Sequence, residues 1–223
     1  MMISVAIDGP SAAGKSTVAK RVAKELGFVY IDTGAMYRCV TLYALKKKVD
    51  CKDVDAVIKL LPHIKIDLCI DGKVLLNGQD VTLEIRSQAV VNNVSYVAAN
   101  KGVRLFLVEL QRNMAKDVSV VMDGRDIGTY VLPDANVKIF QIADVHERAK
   151  RRHAENLGKG MECTLEEVEK DLERRDYIDS HREFAPLTKA KDAVEVDTSL
   201  LTIDESVDTI ISIIKEKVGI PNE

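Results

Sequence analysis

The chain is poor in cysteine and has no excess of basic residues. Its 223 residues include four cysteines, none of them in a C-x-x-C pair, which argues against a disulfide framework and favours a reducing compartment, the cytoplasm. Lysine and arginine total 32 against 35 aspartates and glutamates, a formal net charge of -3. Proteins that bind a nucleic-acid polymer normally have a basic excess, so we expect no such partner.

Long apolar runs are missing as well. Ile210 to Ile214 is typical of the runs that are present, and it is far shorter than the ~20 residues that span a bilayer, so no membrane partner is expected. The first residues show neither a basic stretch followed by an apolar one nor a small-residue cleavage site, and we therefore expect no export. A chain of this length is expected to form one domain with a core that needs no disulfide or metal.

The chain begins with alternating strand and helix patterns. Ile3 to Ile7 is a short β-branched run that stops at Asp8-Gly9-Pro10, which predicts a buried strand. Apolar residues at helical spacing predict a helix from Lys15 to Leu26, followed by a strand at Phe28 to Ile31 and a helix over about 34–48. This order predicts parallel βαβ units, and hence an α/β fold whose parallel core strands have helices on both faces.

The same pattern resumes later in the chain. Helical spacing covers about 87–117, with a break near Asn100-Lys101-Gly102. The remaining predicted elements are strands at 119–122, 137–143 and 193–196, and helices at about 145–157, at 164–177 and from 202 onward. Capping boxes mark the starts of the last two helices, Thr164 with Glu167 and Thr202 with Glu205.

Between these regions lies a segment of alternating residues at about 63–83. Isoleucine and leucine alternate with Lys, Asp and Cys before Asp71-Gly72, and the apolar run Val74 to Leu76 is followed by Asn77-Gly78. Both dipeptides supply the positive φ angles that a two-residue hairpin turn needs. The segment therefore predicts a small antiparallel insert of three strands outside the parallel core.

A phosphate-binding loop follows the first strand. It matches the pattern G-x-x-x-x-G-K-S/T and consists of Gly9, Pro10, Ser11, Ala12, Ala13, Gly14, Lys15, Ser16 and Thr17. Its small residues allow backbone N–H groups to converge on phosphate oxygens at a helix N-terminus, where the dipole favours an anion. We predict an ATP site in which Lys15 contacts the β- and γ-phosphates and the Ser16 hydroxyl binds Mg²⁺. The strand before the loop and the helix after it argue against a chance glycine turn.

An aspartate at the end of a second core strand supports this site. The run Ser119 to Met122 ends in Asp123, the position of a Walker B carboxylate beside the loop and the metal. Many strands end in an Asp-Gly turn, so the pairing with the phosphate loop is what favours this role. We predict that Asp123 holds Mg²⁺ through a water molecule.

The nucleotide site matches neither a GTPase nor an ATPase driven by nucleic acid. No aspartate has a glycine three residues later, and Asn100-Lys101 is followed by Gly102-Val103, so the D-x-x-G and N-K-x-D motifs are missing. An ATPase of the second kind would be larger and would carry a basic face. Arginines recur where the open end of the sheet is expected, at Arg38, Arg104, Arg125, Arg148, Arg151, Arg152, Arg174, Arg175 and Arg182. Each alone is typical of a solvated surface, but beside a phosphate loop they favour a second phosphate-bearing substrate.

Four motifs together resemble the bacterial cytidylate kinases. They are the loop Gly9 to Thr17, the segment Asp32 to Arg38 (D-T-G-A-M-Y-R), the segment Asp123 to Thr129 (D-G-R-D-I-G-T), and Arg182-x-x-Ala185-Pro186-Leu187. The resemblance covers essentially the whole chain, including the three-stranded insert that sets bacterial CMP kinases apart from other nucleoside monophosphate kinases. One departure is Ala12, where the family often has glycine, and we expect the loop to tolerate the methyl group.

This resemblance implies the reaction ATP + CMP (or dCMP) → ADP + CDP (or dCDP), with Mg²⁺. The implied acceptor contacts are Thr33, Arg38, Ser95, Arg104, Arg125, Asp126, Arg175, Asp179 and Arg182. Among them, Thr33 matches a base contact, Arg38 a phosphate contact, and Ser95 and Asp179 the pentose contacts. Asp126 matches the residue that recognises cytosine, since a carboxylate can accept from the exocyclic amine of cytosine and would repel the carbonyl of uracil.

The resemblance also implies catalytic residues and a mobile lid. Arg148 and Arg152 are four residues apart on one predicted helix, so both can face one ligand, and they lie where the family's lid begins. Together with Lys15 and Asp123 they are the residues expected to catalyse phosphoryl transfer. The alternative is a solvated helix with salt bridges to nearby glutamates.

The expected organisation is a single kinase domain that acts alone. It covers residues 1–223, with an insert that binds the nucleoside monophosphate at about 63–100 and a helical lid at about 148–180. We expect a cytoplasmic monomer whose partners are small nucleotides, namely ATP, CMP and dCMP.

Two other functions stay open at this point. One is a P-loop kinase for another small acceptor, such as UMP, AMP or shikimate, although the two specific motifs and the insert argue against it. The other is a nucleotide-binding switch or regulatory module without turnover, which the missing GTPase motifs and the intact Lys15, Ser16 and Asp123 argue against. Tyr37, inside the acceptor motif, fits either a substrate contact or a core position.

Overall fold

The structure, a computed structural model, describes residues 2–158 and 160–219. Two compact units are distinguished in it. One is formed by Met1–Tyr30 with Val118–Glu223 and the other by Ile31–Asp117. We call them the first unit and the second unit. Lys159, inside the predicted lid, lies outside the described residues.

The described part of the chain contains eight β-strands and eight α-helices. The strands are β1 (Ser4–Asp8), β2 (Val29–Asp32), β3 (Ile66–Leu68), β4 (Val74–Leu76), β5 (Gln79–Asp80), β6 (Val120–Gly124), β7 (Val137–Ile142) and β8 (Val194–Asp197). The helices are α1 (Lys15–Leu26), α2 (Thr33–Lys46), α3 (Val54–Ile58), α4 (Gln88–Ala99), α5 (Lys101–Ala115), α6 (Val145–Gly158), α7 (Leu165–His181) and α8 (Ile203–Val218). Short helical turns of other types cover Leu61–His63, Glu84–Arg86 and Ile127–Val131.

A parallel sheet has the strand order β2-β6-β1-β7-β8, and its strands β1, β6, β7 and β8 belong to the first unit. β1 pairs in parallel with β6 and with β7, and β7 pairs in parallel with β8. Four of the five residues of β1 are buried, as expected for a strand covered on both faces. Ile7 of β1 packs in one hydrophobic core with Val22 of α1 and Ile210 of α8. The predicted α/β fold with a parallel core sheet is confirmed.

The ends of the helices in the first unit follow from the residues at those positions. α1 ends at Gly27, whose φ of 69° is left-handed and whose N–H bonds to carbonyls of the last turn. α7 and α8 both begin with complete capping boxes, formed by Thr164 with Glu167 and by Thr202 with Glu205. Both predicted capping boxes are confirmed.

The second unit has its own hydrophobic core around α2, α4 and α5. Met36 and Val40 of α2 are fully buried there, together with Val97 of α4 and Leu107 of α5. The predicted break in the long helical segment lies at Asn100. Its side chain accepts hydrogen bonds from the first N–H groups of α5, because a new helix needs a cap where the previous one has ended.

The insert of three antiparallel strands is present in the second unit, in the order β3-β4-β5. Between β4 and β5, Asn77 and Gly78 have φ angles of 51° and 80°, as a two-residue turn requires. The prediction of a two-residue turn at Asp71-Gly72 is wrong. Cys69 N donates to the carbonyl oxygen of Lys73 at 2.9 Å, which leaves a three-residue loop with the left-handed conformation at Gly72 alone.

The helices differ from the prediction in two respects. α3 was not predicted because five residues are too short to show a helical period; Asp53 caps it through a bond from Ala56 N of 3.0 Å. α7 continues to His181, four residues past the predicted end at Tyr177. Within residues 2–158 and 160–219, no helix is long and apolar enough to cross a membrane.

Candidate functional site

The carboxyl ends of β1 and β6 lie at one edge of the sheet in the first unit. Their last residues, Asp8 and Gly124, are register partners, and so are Ile7 and Asp123. The phosphate loop starts at this edge with residues 9–14, and its last three residues form the first turn of α1. In open parallel α/β sheets, ligands bind outside the carboxyl ends of the strands. The phosphate loop and Asp123 therefore share the edge where a ligand is expected.

Gly9 approaches β7 too closely to carry a side chain. A Cβ atom on Gly9 would lie 1.9 Å from the carbonyl oxygen of Gln141, and the φ angle of Gly9 is 152°. The Gln141 side chain makes a second contact with the loop, since its Nε2 donates to the carbonyl oxygen of Ala13 at 2.6 Å. β7 therefore holds the phosphate loop at two points, which keeps its backbone in place without a ligand.

Ala12, the departure from the family's loop pattern, has a left-handed backbone with a φ of 58°. This conformation costs a residue with a side chain roughly 1–2 kcal/mol. The methyl group packs against a small cluster formed by Ala149, Val168 and Leu172 of α6 and α7. Because this contact offsets part of the backbone cost, the loop accommodates alanine where the family often has glycine.

Lys15 is buried and turns back onto the loop that precedes it. Its Nζ donates to the carbonyl oxygen of Pro10 at 2.5 Å, and the residue is 4% exposed. Burial lowers the pKa of Lys15 from 10.5 to about 7, and the positive charge of Arg125 acts in the same direction. Burial thus disfavours the charged form of Lys15. A polyphosphate bound beside it would supply the negative charge that stabilises the ammonium group.

Asp123 is held between two hydroxyl groups. Ser16 Oγ donates to its Oδ2 at 2.7 Å, and Tyr30 OH donates to its Oδ1 at 2.8 Å. Hydroxyl and carboxylate oxygens are the ligands that Mg²⁺ prefers, and Mg²⁺ is usually bound by one or two such groups together with phosphates and water. The residues present therefore fit Mg²⁺ at the position that the sequence predicts.

Asp8 connects β1 to the D-G-R-D-I-G-T segment. It is 4% exposed, its Oδ1 accepts from Ile127 N at 2.8 Å, and its Oδ2 accepts from Gly128 N at 2.7 Å. Burial raises the pKa of Asp8 from 3.8 to about 6, although the two N–H donors favour the ionised form. The carboxylate thus links the start of the phosphate loop to the segment that carries Asp126.

Four predicted acceptor residues of the first unit form one network of charges. Arg125 Nε donates to Asp179 Oδ2 at 2.8 Å. Arg182 lies between two carboxylates, with its Nη2 3.6 Å from Asp126 Oδ1 and its Nη1 3.8 Å from Asp179 Oδ1. The Nε of Arg182 donates to the carbonyl oxygen of Ala185 at 2.7 Å, within the R-x-x-A-P-L motif. The structure therefore brings together residues from two separate motifs.

Arg175, a fifth predicted acceptor residue of this unit, is half-buried, and the charge of Arg125 acts on it. Burial lowers the pKa of Arg175 to about 10, and repulsion from Arg125 adds to this effect. Its buried Nε has no hydrogen-bond partner among the residues that the structure describes. A guanidinium group whose buried Nε has no partner favours an anionic ligand.

Ser11 joins the phosphate loop to three charged side chains. Its Oγ accepts from Arg125 Nη2 at 3.0 Å, its N–H donates to Asp176 Oδ1 at 2.9 Å, and its carbonyl oxygen accepts from Arg148 Nη1 at 2.9 Å. Arg148 Nη1 also donates to Asp176 Oδ2 at 2.6 Å. The loop is therefore tied to both α6 and α7.

The two arginines predicted to act on the transferred phosphoryl group have different surroundings. Arg148 is 6% exposed, and its Nε donates to the carbonyl oxygen of Ala143 at 2.8 Å. Arg152 is half-buried, and its Nε lies 3.6 Å from a carboxylate oxygen of Glu155 without a hydrogen bond. Arg148 is thus fixed by the protein, whereas Arg152 has weak contacts. The catalytic role of both stays a prediction.

In the second unit, the D-T-G-A-M-Y-R segment forms the start of α2. Asp32 caps the helix by accepting from Ala35 N at 2.8 Å, and its other oxygen accepts from Arg38 Nη2 at 3.0 Å. A Cβ atom on Gly34 would lie 2.9 Å from Arg38 Nη1 and 3.2 Å from Asp32 Oδ1. Glycine at this position therefore leaves room for the ion pair that orients Arg38.

Three further predicted acceptor residues, Thr33, Ser95 and Arg104, are buried in the second unit. Arg104 Nη1 donates to the carbonyl oxygen of Ala98 at 3.0 Å, and its guanidinium carbon lies 5.1 Å from the centre of the Tyr37 ring. Tyr37 is 8% exposed, so it occupies a core position beneath a predicted acceptor residue.

Sequence reasoning missed several residues that support the site. Tyr30, Gln141 and Asp176 contact predicted site residues in the first unit, and Asp8 bonds to Ile127, which follows Asp126. The position of Asp8 directly before the phosphate loop was a usable signal, since the carboxyl end of a core strand faces the ligand edge. The other three have no local signal, because their partners lie far away in the sequence.

Comparison with known proteins identifies the family. The family model described as cytidylate kinase matches residues 5–216. A cytidylate kinase of Geobacillus sp. (strain WCH70) is 56% identical over 97% of this chain and 98% of its own length. One of Bacillus cereus (strain B4264) is 54% identical over 95% and 96%. A solved shikimate kinase from Bacteroides thetaiotaomicron covers 98% of this chain and 99% of its own at 12% identity and a TM-score of 0.50, a likeness of fold alone. The resemblance seen in the motifs is confirmed: the chain belongs to the cytidylate kinase family.

Proposed function

We propose that this chain transfers the terminal phosphoryl group of ATP to CMP or dCMP, producing ADP and CDP or dCDP. The observation that carries the proposal lies in the first unit, where the phosphate loop with its buried lysine is hydrogen-bonded to an arginine network that includes Asp126. The relatives named cytidylate kinase support it. The reaction belongs to pyrimidine nucleotide metabolism.

The donor nucleotide binds at the phosphate loop. Residues 9–17 hold the phosphates of ATP through backbone N–H groups at the start of α1, where the helix dipole also favours negative charge. Lys15, whose Nζ lies 2.5 Å from the carbonyl oxygen of Pro10, contacts the β- and γ-phosphates. The contacts of β7 with Gly9 and Ala13 support this role, because a loop held in advance loses little entropy on binding.

Ser16 and Asp123 hold the Mg²⁺ that accompanies ATP. Ser16 binds through its hydroxyl group and Asp123 through water, while Tyr30 keeps the carboxylate oriented through its bond of 2.8 Å. The chemistry that Mg²⁺ would supply there is positive charge that offsets the negative charge of the ATP phosphates.

Cytosine is recognised by Asp126. Its carboxylate accepts a hydrogen bond from the exocyclic amine of cytosine, whereas the carbonyl of uracil would meet a negative oxygen. Arg182, 3.6 Å away, provides a countercharge for this buried carboxylate. Sites that pair a buried polar group with a substrate N–H strongly reject analogues that lack it, because the protein group is then left unpaired.

The phosphate and pentose of the acceptor bind to the arginines and to Asp179. Burial and then repulsion from Arg125 lower the pKa of Arg175, and the anionic phosphate offsets that repulsion. Asp179 contacts the pentose. The family motifs support further acceptor contacts in the second unit, at Thr33, Arg38, Ser95 and Arg104.

Phosphoryl transfer needs no protein nucleophile, so positioning and charge neutralisation account for catalysis. Arg148 holds Asp176 and the Ser11 carbonyl, and Arg152 approaches the transferred phosphoryl group as the lid at about 148–180 closes. Lid closure also excludes water, which would otherwise accept the phosphoryl group. The insert at about 63–100 serves the acceptor side of the same kinase domain.

The enzyme acts as a cytoplasmic monomer on small nucleotides, without a nucleic-acid polymer or a membrane as partner. The net charge of -3 supports the first exclusion, and the four free cysteines fit a reducing compartment. Light scattering coupled to gel filtration tests the oligomeric state. A mass of twice the chain would contradict it.

A coupled assay of ADP release tests the activity. CMP, dCMP, UMP, AMP, dTMP and shikimate are supplied separately at matched concentration with ATP and Mg²⁺, and we expect turnover to be fastest with CMP or dCMP. Lys15→Met should abolish turnover with every acceptor. Asp126→Asn should reduce turnover with CMP and bring it closer to the turnover with UMP. Absence of turnover with both CMP and dCMP would overturn the proposal.

A further inference from the structure

Asp126 precedes a helical turn that it does not cap with its side chain. The turn Ile127–Val131 is π-helical, and the Asp126 carbonyl oxygen accepts from Tyr130 N at 2.8 Å and from Val131 N at 3.1 Å. Asp126 therefore occupies the N-cap position, where aspartate is strongly preferred because its side chain can accept from the first N–H groups of the turn. Its carboxylate makes no such bond.

A residue from a distant part of the chain takes over this task. Ile127 N and Gly128 N, the first two donors of the turn, bond to the two carboxylate oxygens of Asp8 at 2.8 and 2.7 Å. Asp8 stands 119 residues from Ile127, at the end of the buried strand β1. Both oxygens are in use, so asparagine, which has a single acceptor oxygen, would leave one donor facing its NH₂ group.

We propose that Asp8 is a positioning residue for nucleobase selection: it caps the turn in place of Asp126 and thereby leaves the Asp126 carboxylate directed at the cytosine. The inference rests on the proposed function, in which Asp126 recognises the base. Asp8 touches no substrate in this scheme. It acts through the backbone of Ile127 and Gly128.

The surroundings of the turn support a fixed orientation of Asp126. A Cβ atom on Gly128 would lie 3.1 Å from Lys138 Cδ, so the turn is packed closely against β7. On the other side, Asp126 Oδ1 lies 3.6 Å from Arg182, and the two side chains are 4% and 2% exposed. Between these contacts, Asp8 supplies the acceptors for the first two backbone donors of the turn. If they were lost, the Asp126 carboxylate, which belongs to the N-cap residue, could cap the turn in their place at the expense of the base.

The CMP/UMP ratio of kcat/KM in the Asp8→Asn variant tests this role. We expect this ratio to fall by about tenfold or more, because part of the Asp126 population turns inward to cap the turn. Asp134→Asn, which changes an exposed carboxylate three residues after the turn, is the matched control and should leave the ratio unchanged. Combining Asp8→Asn with Asp126→Asn should lower the ratio no further than Asp126→Asn alone, since both act on one group.

A second measurement begins with the native protein and then compares it with variants of Asp8. We expect amide hydrogen exchange by NMR to show Ile127 and Gly128 N–H as protected, and Asp8→Asn or Asp8→Ser to remove that protection. A native enzyme that prefers CMP, with a ratio unchanged in Asp8→Asn, would overturn this inference and leave the proposed function intact. So would rapid exchange of both amides in the native protein. Failure of the native enzyme to phosphorylate CMP would overturn both proposals.

Discussion

The binding of ATP should take up a proton at Lys15. In the unliganded protein the ammonium group is buried and its pKa is lowered from 10.5 to about 7, first by burial and then by the charge of Arg125. A triphosphate beside Nζ favours the charged form and raises this pKa again. Above pH 7, therefore, the lysine is largely neutral before ATP binds and charged afterwards. The proton comes from solvent.

The size of the effect follows from the pKa of the unliganded protein. With a pKa near 7, about half of the molecules carry a neutral Lys15 at pH 7 and about nine-tenths do so at pH 8. Uptake per ATP bound should therefore rise from about 0.5 to about 0.9 proton between these pH values. The affinity for ATP should fall nearly tenfold per pH unit above 8, until the pKa of the bound state is reached.

Isothermal titration calorimetry measures this uptake directly. A non-hydrolysable ATP analogue with Mg²⁺ is titrated at pH 7, 8 and 9 in buffers of different ionisation enthalpy, and the slope of observed enthalpy against buffer enthalpy counts protons. These pH values lie above the titration of a terminal phosphate near 6, so the nucleotide contributes little. Lys15→Arg, which stays charged at every pH used, is the control. Uptake below about 0.2 proton at pH 8, or equal uptake in Lys15→Arg, would refute the reasoning.

The same pKa has a consequence for stability. Between pH 7 and 10.5 the unfolded chain binds more protons at Lys15 than the native protein does, so the free energy of unfolding of the nucleotide-free protein gains a contribution that rises with pH. Chemical denaturation of the native protein and of Lys15→Met at pH 7 and 9 separates this contribution from that of other groups. The rise should be smaller in Lys15→Met. An equal rise in both would show that Lys15 keeps an ordinary pKa.

Three further predictions concern other parts of the first unit. Asp176→Asn should lower kcat by roughly tenfold or more, because Ser11 and Arg148 lose a shared acceptor. Steady-state kinetics of Asp171→Asn, on the same helix, is the control and should show an unchanged kcat. Gly9→Ala should destabilise the protein by on the order of 3 kcal/mol or more in urea denaturation, since its Cβ meets the Gln141 carbonyl at 1.9 Å; an unchanged midpoint would contradict this contact. Thr202→Ala should lower the free energy of unfolding by about 1 kcal/mol, because it removes the capping box of α8, and should leave kcat unchanged, because that box contains no predicted site residue.

Elements of the fold were predictable where the signal is local. α1 was predicted with its observed bounds because Gly14 and Gly27 mark its two ends and apolar residues recur between them. The turn at Asn77-Gly78 was predictable for the same reason. At Asp71-Gly72 an equally good dipeptide gives a three-residue loop, because the pairing of Cys69 with Lys73 decides the register. Loop length depends on which strand residues pair, and the dipeptide does not report that.

Candidate site residues were predictable in so far as they belong to compact motifs. The phosphate loop, Asp123 and the D-G-R-D-I-G-T segment could all be read from neighbouring residues. Asp8, Tyr30 and Asp176 could not be predicted in this way, because each contacts a motif residue that lies far away along the chain. The separations are 119 residues for Asp8 and Ile127, 93 for Tyr30 and Asp123, and 165 for Asp176 and Ser11. The residues that orient a motif are supplied by the topology of the sheet and helices.

The charge balance of the site explains why composition did not reveal a phosphate-binding protein. Most arginines in the first unit's network are accompanied by an aspartate, as Arg125 is by Asp179 at 2.8 Å and Arg148 by Asp176 at 2.6 Å. These carboxylates neutralise the guanidinium groups before any nucleotide arrives, so the net charge stays near zero while the arginines stay in place. Arg175 differs, because burial and then repulsion from Arg125 lower its pKa to about 10. An anion beside Arg175 relieves this repulsion and displaces no partner from its Nε. The acceptor phosphate should therefore gain more binding free energy at Arg175 than at the arginines that already pair with an aspartate.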